Sequence, residues 1–161
     1  MRNHAREQGV WLVSDKAATG KARIGYEESV EAALCYGWID SVNRPLDDER
    51  RGQLFTPRKP GSGWSRTNKV RISRLIKGRR MRPAGLAKIA AAKRDGSWEL
   101  LDSVEDLEVP ADLRKALGRA GQRAFDALTP GRRKAHLATL VTAKRPETRA
   151  KRIAGIVRAL A

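Results

Sequence analysis

The 161-residue sequence contains one cysteine, two histidines and no long apolar run. Cys35 cannot form an internal disulfide, and its neighbours Ala32, Ala33 and Leu34 favour a packed thiol within a helix. One cysteine and two histidines cannot form a zinc site of the usual spacing. No segment approaches the roughly 18 apolar residues of a membrane span, and residues 1–9 are polar and charged. We therefore expect a cytoplasmic protein without membrane insertion, metal or cofactor.

Catalytic motifs are equally scarce. His4 lies in a polar terminus, and His136 adjoins Leu137 at the margin of a predicted amphipathic helix, where a structural or surface role is expected. The sequence has no glycine-rich phosphate motif, nucleophile elbow or paired-carboxylate motif. Asp40, inside an apolar segment, is the one candidate pocket acid, and an ion pair with a cation such as Arg58 explains it better than catalysis does. The sequence thus predicts no catalytic residues and no enzyme.

Positive charge is abundant and unevenly distributed. The net charge is +16, from 34 lysine and arginine residues against 18 acidic residues. Residues 50–94 contain 15 basic residues and no acidic one, whereas residues 95–110 contain six acidic residues and no basic one. Such a block indicates a polyanionic partner, and the alternative is a solvated face that serves solubility.

The first third of the chain predicts a small sheet with one helix. Short apolar runs with β-branched and aromatic members predict strands over 9–14, 22–26, 38–43 and 53–56. The last two flank a charged loop and are expected to pair as a hairpin. Between the strands predicted over 22–26 and 38–43, residues 27–36 predict a helix, because they have helical spacing, acids in the first turn and Gly37 as a stop signal.

The rest of the chain predicts helices. Ser65 is the expected N-cap of a helix that runs to about Lys77, and further helices are predicted over 83–94, 110–118, 122–128, 130–141 and from 146 to the end. The acidic stretch between the helices over 83–94 and 110–118 predicts a linker with at most one helical turn. The fold class is therefore α+β: a small N-terminal β-sheet with one helix in residues 1–60, then a predominantly helical part in 61–161, within a single domain.

One basic segment predicts an anion-binding site. Trp64 stands between a basic loop and the N-terminus of the helix after Ser65, a position that suits anions. The apolar side of that helix is predicted to contain Ile72, Leu75 and Ile76, with cations opposite. The predicted anion-binding residues are Arg58, Lys59, Trp64, Ser65, Arg66, Lys69, Arg74 and Lys77. The other tryptophans are expected to serve packing.

Four ordered segments suggest a family. YEESVEAALCYGWIDS, FTPRKPGSGWSRTN, GRRMRPAGLAKIAAAKRDGSW and AKRPETRAKRI together closely resemble the bacterial YdeI/OmpD-associated family, also called the bacteriocin-protection type. The resemblance extends from about Gly9 to the end of the chain. It implies a role in tolerance of envelope-active antimicrobial agents and association with an outer-membrane porin, and it brings no catalytic residues with it.

Three hypotheses follow for the function. The first is a non-catalytic cytoplasmic binding protein of this family, which acts in stress tolerance through a protein or polyanionic partner. The second is a sequence-independent nucleic-acid-binding protein, although the chain has no helix-turn-helix, zinc-finger or other readout motif. The third is an enzyme with a cleft at Asp40, Arg58 and Trp64, which would require those three side chains to converge.

Overall fold

The computed structural model describes residues 5–160, which form two compact units, 5–98 and 99–160. The first unit contains a three-stranded sheet, three α-helices and one turn of 3-10 helix (Ala17–Thr19), and the second unit contains α-helices. This arrangement confirms the predicted α+β class. Whether the chain folds as a single domain stays a prediction. His4 lies outside the described residues.

The sheet has the strand order β1-β3-β2 and is antiparallel throughout. Its strands are β1 (Val10–Asp15), β2 (Trp38–Pro45) and β3 (Arg50–Pro57). The predicted hairpin is confirmed as β2 and β3. Asp47 closes its loop, because its Oδ1 accepts hydrogen bonds from the backbone N–H groups of Glu49 and Arg50 at 3.0 and 2.6 Å.

The strand predicted over 22–26 is wrong. Residues 21–25 are irregular, and the first helix already begins at Tyr26. The local apolar run does not determine the partner of β1: β1 pairs with β3, about 40 residues further along the chain, and its other edge carries no strand among the described residues.

Helix α1 (Tyr26–Cys35) confirms the predicted helix over 27–36. Its acids Glu27 and Glu28 occupy the first turn. Gly37 ends it with φ +77, a left-handed conformation that suits glycine, and donates its N–H to the Leu34 carbonyl. Cys35 is buried at the end of the helix, and this burial raises the pKa of its thiol.

Helix α2 (Arg66–Lys77) has the predicted bounds and cap. The Ser65 side chain accepts a hydrogen bond from the Asn68 N–H. Ile72 and Leu75 are buried as predicted, but Ile76 is 50% exposed, which corrects the predicted apolar side. Arg71 is buried instead, because its guanidinium forms two hydrogen bonds with the Glu27 carboxylate, at 2.9 and 2.5 Å.

Helix α3 (Pro83–Arg94) completes the first unit and packs closely on α1. Gly85 permits this contact, since a Cβ there would lie 2.4 Å from the Cys35 carbonyl oxygen. The first core contains side chains from the sheet, the three α-helices and the loop before α2, among them Val30, Leu34, Trp38, Phe55, Trp64, Ile72, Leu75 and Ile89.

The second unit contains α4 (Asp102–Glu105), α5 (Ala111–Asp126), α6 (Pro130–Val141) and α7 (Pro146–Leu160). The two helices predicted on either side of residues 118–122 are the two parts of α5, which Gly118 interrupts with φ +60 and ψ −172. Thr129 caps α6 by accepting from the Arg132 N–H. The core of this unit is formed by Val104, Leu113, Leu117, Phe125, Leu137, Leu140 and Ile156. Within residues 5–160, none of the helices is long and apolar enough to cross a membrane.

Candidate anion-binding site

The predicted anion-binding residues fall into two groups. Arg58, Lys59 and Trp64 lie together at a small cleft that follows β3. The remaining cations, Arg66, Lys69, Arg74 and Lys77, are distributed around α2, and Ser65 serves as its cap.

Arg58 is the central residue of the cleft. Its guanidinium carbon lies 3.6 Å from the centroid of the Trp64 ring, and Nη2 donates to the Gly63 carbonyl at 2.6 Å. Its backbone N–H donates to the Gly37 carbonyl at 3.0 Å, which fixes the start of the loop. Arg58 is 6% exposed and Trp64 2% exposed, so the stacked pair is held in one geometry.

The guanidinium of Arg58 is incompletely partnered. Its Nε is buried without a hydrogen-bond acceptor. No carboxylate in residues 5–160 lies within 4 Å of this group. Burial lowers the pKa of Arg58 to about 10, and the charge of Asp40 acts through space in the opposite direction. A buried charge is normally paired, so the positive charge of Arg58 is left without a close counter-charge at this cleft.

Helix α3 and the turn after it form the opposite wall of the cleft. The cleft has a volume of about 60 Å³, and its charged lining residues are Arg58, Lys59, Lys88 and Asp95. Ser62 and Ser97 add hydroxyl groups. The Lys88 stem passes over Gly37, where a Cβ would lie 2.5 Å from its Cγ.

Asp95 is the acidic group at this cleft. It accepts from the backbone N–H groups of Ser97 at 2.9 Å and Gly61 at 3.3 Å. Hydrogen bonds from Ser97, from the side chain first, lower the pKa of this carboxyl group. Asp95 therefore ties the loop after β3 to the end of α3.

A second tryptophan extends the site. The ring centroids of Trp64 and Trp98 are 5.2 Å apart. The ammonium groups of Lys69 and Lys93 lie 5.3 and 5.5 Å from the Trp98 centroid. Cationic side chains thus lie close to both rings of a tilted pair of indoles.

The cations of α2 do not form a uniform row. Arg74 pairs with Glu31 of α1 at 3.3 Å, and Lys69 lies over Trp98. Arg66 and Lys77 are on the exposed side, opposite the buried Ile72.

Asp40 lies outside the lining of the cleft. Its Oδ2 accepts from the Tyr26 hydroxyl at 2.9 Å and from Gln53 Nε2 at 3.5 Å. The expected ion pair with Arg58 is therefore wrong: a hydroxyl and an amide are the partners of Asp40. Burial and the hydrogen bond to Asp40 raise the pKa of Tyr26. Asp40, Arg58 and Trp64 do not converge in one pocket.

Sequence reasoning missed the contribution of α3. The packing of α3 brings Lys88, Asp95 and Ser97 to the cleft of Arg58, and it brings Trp98 to Trp64. No local sequence pattern reveals this packing. The Asp-Gly-Ser-Trp turn after α3 is the one local signal here, and an Asp-Gly pair by itself indicates only the end of a helix.

The remaining rare residues form no metal centre. Across the described part of the chain, no group of three or more His, Cys, Asp and Glu side chains could hold a metal ion. His136 is half-buried, with its ring centroid 6.2 Å from that of Phe125, and belongs to the packing of the second unit.

Two family models match the chain. Residues 1–88 match a family described as "Domain of unknown function (DUF8412)". Residues 106–161 match the family described as "Bacteriocin-protection, YdeI or OmpD-Associated". Comparisons with curated proteins and with solved structures give no match.

These matches define the family of the chain. Since the first match covers more than half of the 161 residues, the chain belongs to the DUF8412 family. The predicted resemblance to the YdeI/OmpD-associated family is confirmed for residues 106–161. The cleft at Arg58 lies within the first match, and its α3 wall extends past residue 88.

Proposed function

We propose that the chain is a non-catalytic binding protein whose cleft at Arg58 and Trp64 takes an anionic group of a partner. The observation that carries this proposal is the buried guanidinium of Arg58, which has no carboxylate partner within the described residues. Removing such a charge from water costs several kcal/mol. An anion that binds beside this charge offsets part of the cost. The contact with Trp64 fixes the orientation of the guanidinium before the anion binds, which lowers the entropy cost of binding.

The chemistry of the cleft supports binding rather than catalysis. General acid–base work needs a group whose pKa lies near the working pH. The cleft is lined by cations and by Asp95, and hydrogen bonds from Ser97 lower the pKa of that carboxyl group. Asp95 stays ionised near neutral pH and is a weak base.

The wider role is part of the same proposal. We place the binding activity in the cytoplasm, in tolerance of envelope or antimicrobial stress. The family that matches residues 106–161 supports this, since its description names bacteriocin protection. The single buried Cys35 is compatible with a reducing compartment.

The test is a binding titration with a fluorescently labelled polyglutamate peptide. We expect saturable binding that Arg58→Gln weakens at least tenfold. Arg23→Gln removes the same charge from an exposed segment of the first unit and should leave the affinity within about twofold. Equal weakening by both variants would assign the binding to net charge and overturn the proposal.

Nucleic-acid binding is the second candidate. It is favoured by the acid-free block 50–94 and by three exposed cations between the last residue of α2 and the N-cap of α3, namely Lys77, Arg79 and Arg82. Neutralising phosphates releases counterions, so log affinity falls with log salt by about 0.9 for each contact. Changing these three residues to Gln should lower the salt slope for a random duplex by about 0.9 for each contact removed. An unchanged affinity and slope would exclude this surface.

A further inference from the structure

The cleft at Arg58 carries more positive charge than a single monoanion neutralises. Three cationic side chains line it, Arg58, Lys59 and Lys88, against the one carboxylate of Asp95. The lining charges therefore sum to about +2 when all four groups are ionised. A carboxylate ligand would leave about one positive charge uncompensated, whereas a dianion would balance the cleft.

The size of the cleft selects a single ionic group. Its volume of about 60 Å³ is far below the roughly 300–1,000 Å³ of pockets that enclose whole small molecules. The cleft can therefore receive one compact anionic group while the rest of the ligand stays outside.

The donors around the cleft suit a group with several acceptor oxygens. Arg58 offers a planar guanidinium whose orientation is fixed by Trp64 and by the Gly63 carbonyl. Lys59 and Lys88 supply point charges, and Ser62 lines the same cleft with a hydroxyl group. Arginine with lysine is the combination that proteins use for phosphate groups.

Asp95 does not prevent this binding. Its oxygens already accept hydrogen bonds from the backbone N–H groups of Ser97 and Gly61, which spread its negative charge over the turn. Its position on the wall is unfavourable for a continuous chain of phosphodiesters, which would bring further negative charges past it. A terminal phosphate brings only one group.

We propose that this cleft binds a phosphate monoester dianion, which is the terminal phosphate of a small molecule or of a phosphorylated side chain. The inference rests on the proposed function, because it uses the same Arg58 and Trp64. A phosphate monoester carries about −1.5 to −2 charges at pH 7 and three acceptor oxygens. This charge matches the lining, and the three oxygens can meet cations on both walls.

The experiment compares three blocked peptides that differ in one residue: Ala-phosphoserine-Ala, Ala-Glu-Ala and Ala-Ser-Ala. Binding is followed by the fluorescence of the tryptophans at pH 7.5. We expect the phosphopeptide to bind at least tenfold more tightly than the glutamate peptide and the serine peptide not to bind. Inorganic phosphate, tested alongside, distinguishes the sources: equal affinity points to a small phosphorylated molecule, and weaker affinity to a phosphorylated side chain.

A pH series tests the dianion directly. The second pKa of phosphoserine is about 6, so lowering the pH from 7.5 to 5 should weaken phosphopeptide binding about tenfold. Sulfate stays a dianion over this range and should bind equally at both pH values. The charged groups that face the bound phosphate are Arg58, Lys59, Lys88 and Asp95. The pKa of Arg58 is about 10, and hydrogen bonds, from Ser97 first, hold the pKa of Asp95 below its usual range, so neither of these two groups accounts for a change of affinity over this interval.

Two variants keep the test decisive. Arg58→Gln should abolish phosphopeptide binding, and Lys59→Gln, at an exposed position, should weaken it even if the first variant folds poorly. Arg23→Gln serves as the control of equal charge. Equal binding of the glutamate and phosphoserine peptides would overturn the phosphate proposal and leave the proposed function standing. If neither the glutamate peptide nor the phosphoserine peptide binds, the phosphate proposal and the proposed function are both overturned. If a random duplex at equal phosphate concentration displaces the phosphopeptide, the ligand is a phosphodiester and the phosphate-monoester proposal is overturned.

Discussion

The absence of a side chain at Gly85 allows α3 to pack closely on α1. A Cβ at Gly85 would lie 2.4 Å from the Cys35 carbonyl oxygen, a backbone atom that cannot move away alone. We therefore expect Gly85→Ala to destabilise the protein by roughly 1–3 kcal/mol, in spite of the higher helix propensity of alanine. Urea denaturation measures this change.

A matched glycine provides the control. Gly155 lies inside α7, and a Cβ there would meet no heavy atom within 4 Å. Gly155→Ala should stabilise the protein by about 0.5–1 kcal/mol. If Gly85→Ala stabilises the protein as Gly155→Ala does, the close packing at Gly85 is contradicted.

Ile156 tests the core of the second unit. It is 4% exposed, and it packs with Leu113, Phe125 and Leu140. Replacing it with Ala removes buried methylenes and leaves a cavity, so we expect a loss of about 2–5 kcal/mol in the free energy of unfolding. Arg158→Ala, at an exposed position of the same helix, should change stability by less than about 0.5 kcal/mol. A loss below about 0.5 kcal/mol for Ile156→Ala would mean that this face of α7 is not packed.

At the level of elements, one ion pair joins α5 to α7. Arg149 Nε and Nη2 donate to Asp112 at 2.6 and 3.0 Å, and this guanidinium lowers the pKa of the carboxyl group. A carboxyl group with a lowered pKa in the folded state stabilises the protein above its unfolded pKa. This stabilisation is lost as the pH falls through the folded pKa.

The pH dependence of this pair can be measured by thermal unfolding. Asp112→Asn should lower Tm at pH 7, and the difference from the parent chain should shrink steadily below about pH 4. Glu147→Gln removes an exposed acid from the same helix region and should give a smaller difference at pH 7. A difference that stays constant between pH 7 and pH 2.5 would contradict a role for the charged form.

Elements that depend on local signals could be predicted from the sequence. The start of α2 was predicted at its observed residue because the Ser65 cap acts within three residues, and the hairpin of β2 and β3 was predicted because its turn residues are contiguous. The predicted strand over 22–26 is wrong because the partner of β1 is β3, which comes from a distant part of the chain that no local pattern can identify. The predicted burial of Ile76 is wrong because Arg71, paired with Glu27, occupies the buried side of α2.

The same distinction applies to the candidate site. Arg58 and Trp64 belong to one short loop, so their proximity could be anticipated from the sequence. Lys88 and Asp95 approach them across the packing of α3, which depends on the space left by Gly37 and Gly85. The partner of Asp40 was mistaken for the same reason, since Tyr26 comes from the start of α1.

At the level of the whole molecule, the chain is expected to fold without metal or disulfide. Two cores supply the packing, and the described residues contain no cluster suited to a metal ion. EDTA and a reducing agent should each leave Tm unchanged within about one degree. A fall of several degrees with EDTA would contradict this expectation.

The central claim is that an anion docks on the guanidinium of Arg58. NMR spectra of the ¹⁵N-labelled chain report on the Arg58 Nε–H and the Trp64 indole N–H directly, and Trp11, exposed on the sheet and stacked with Arg44, provides an internal reference. Titration with the polyglutamate peptide should shift the Arg58 and Trp64 signals along one saturable curve and leave the Trp11 indole in place. Signals of Arg58 and Trp64 that stay fixed while the peptide binds, or shifts of equal size at Trp11, would contradict the account.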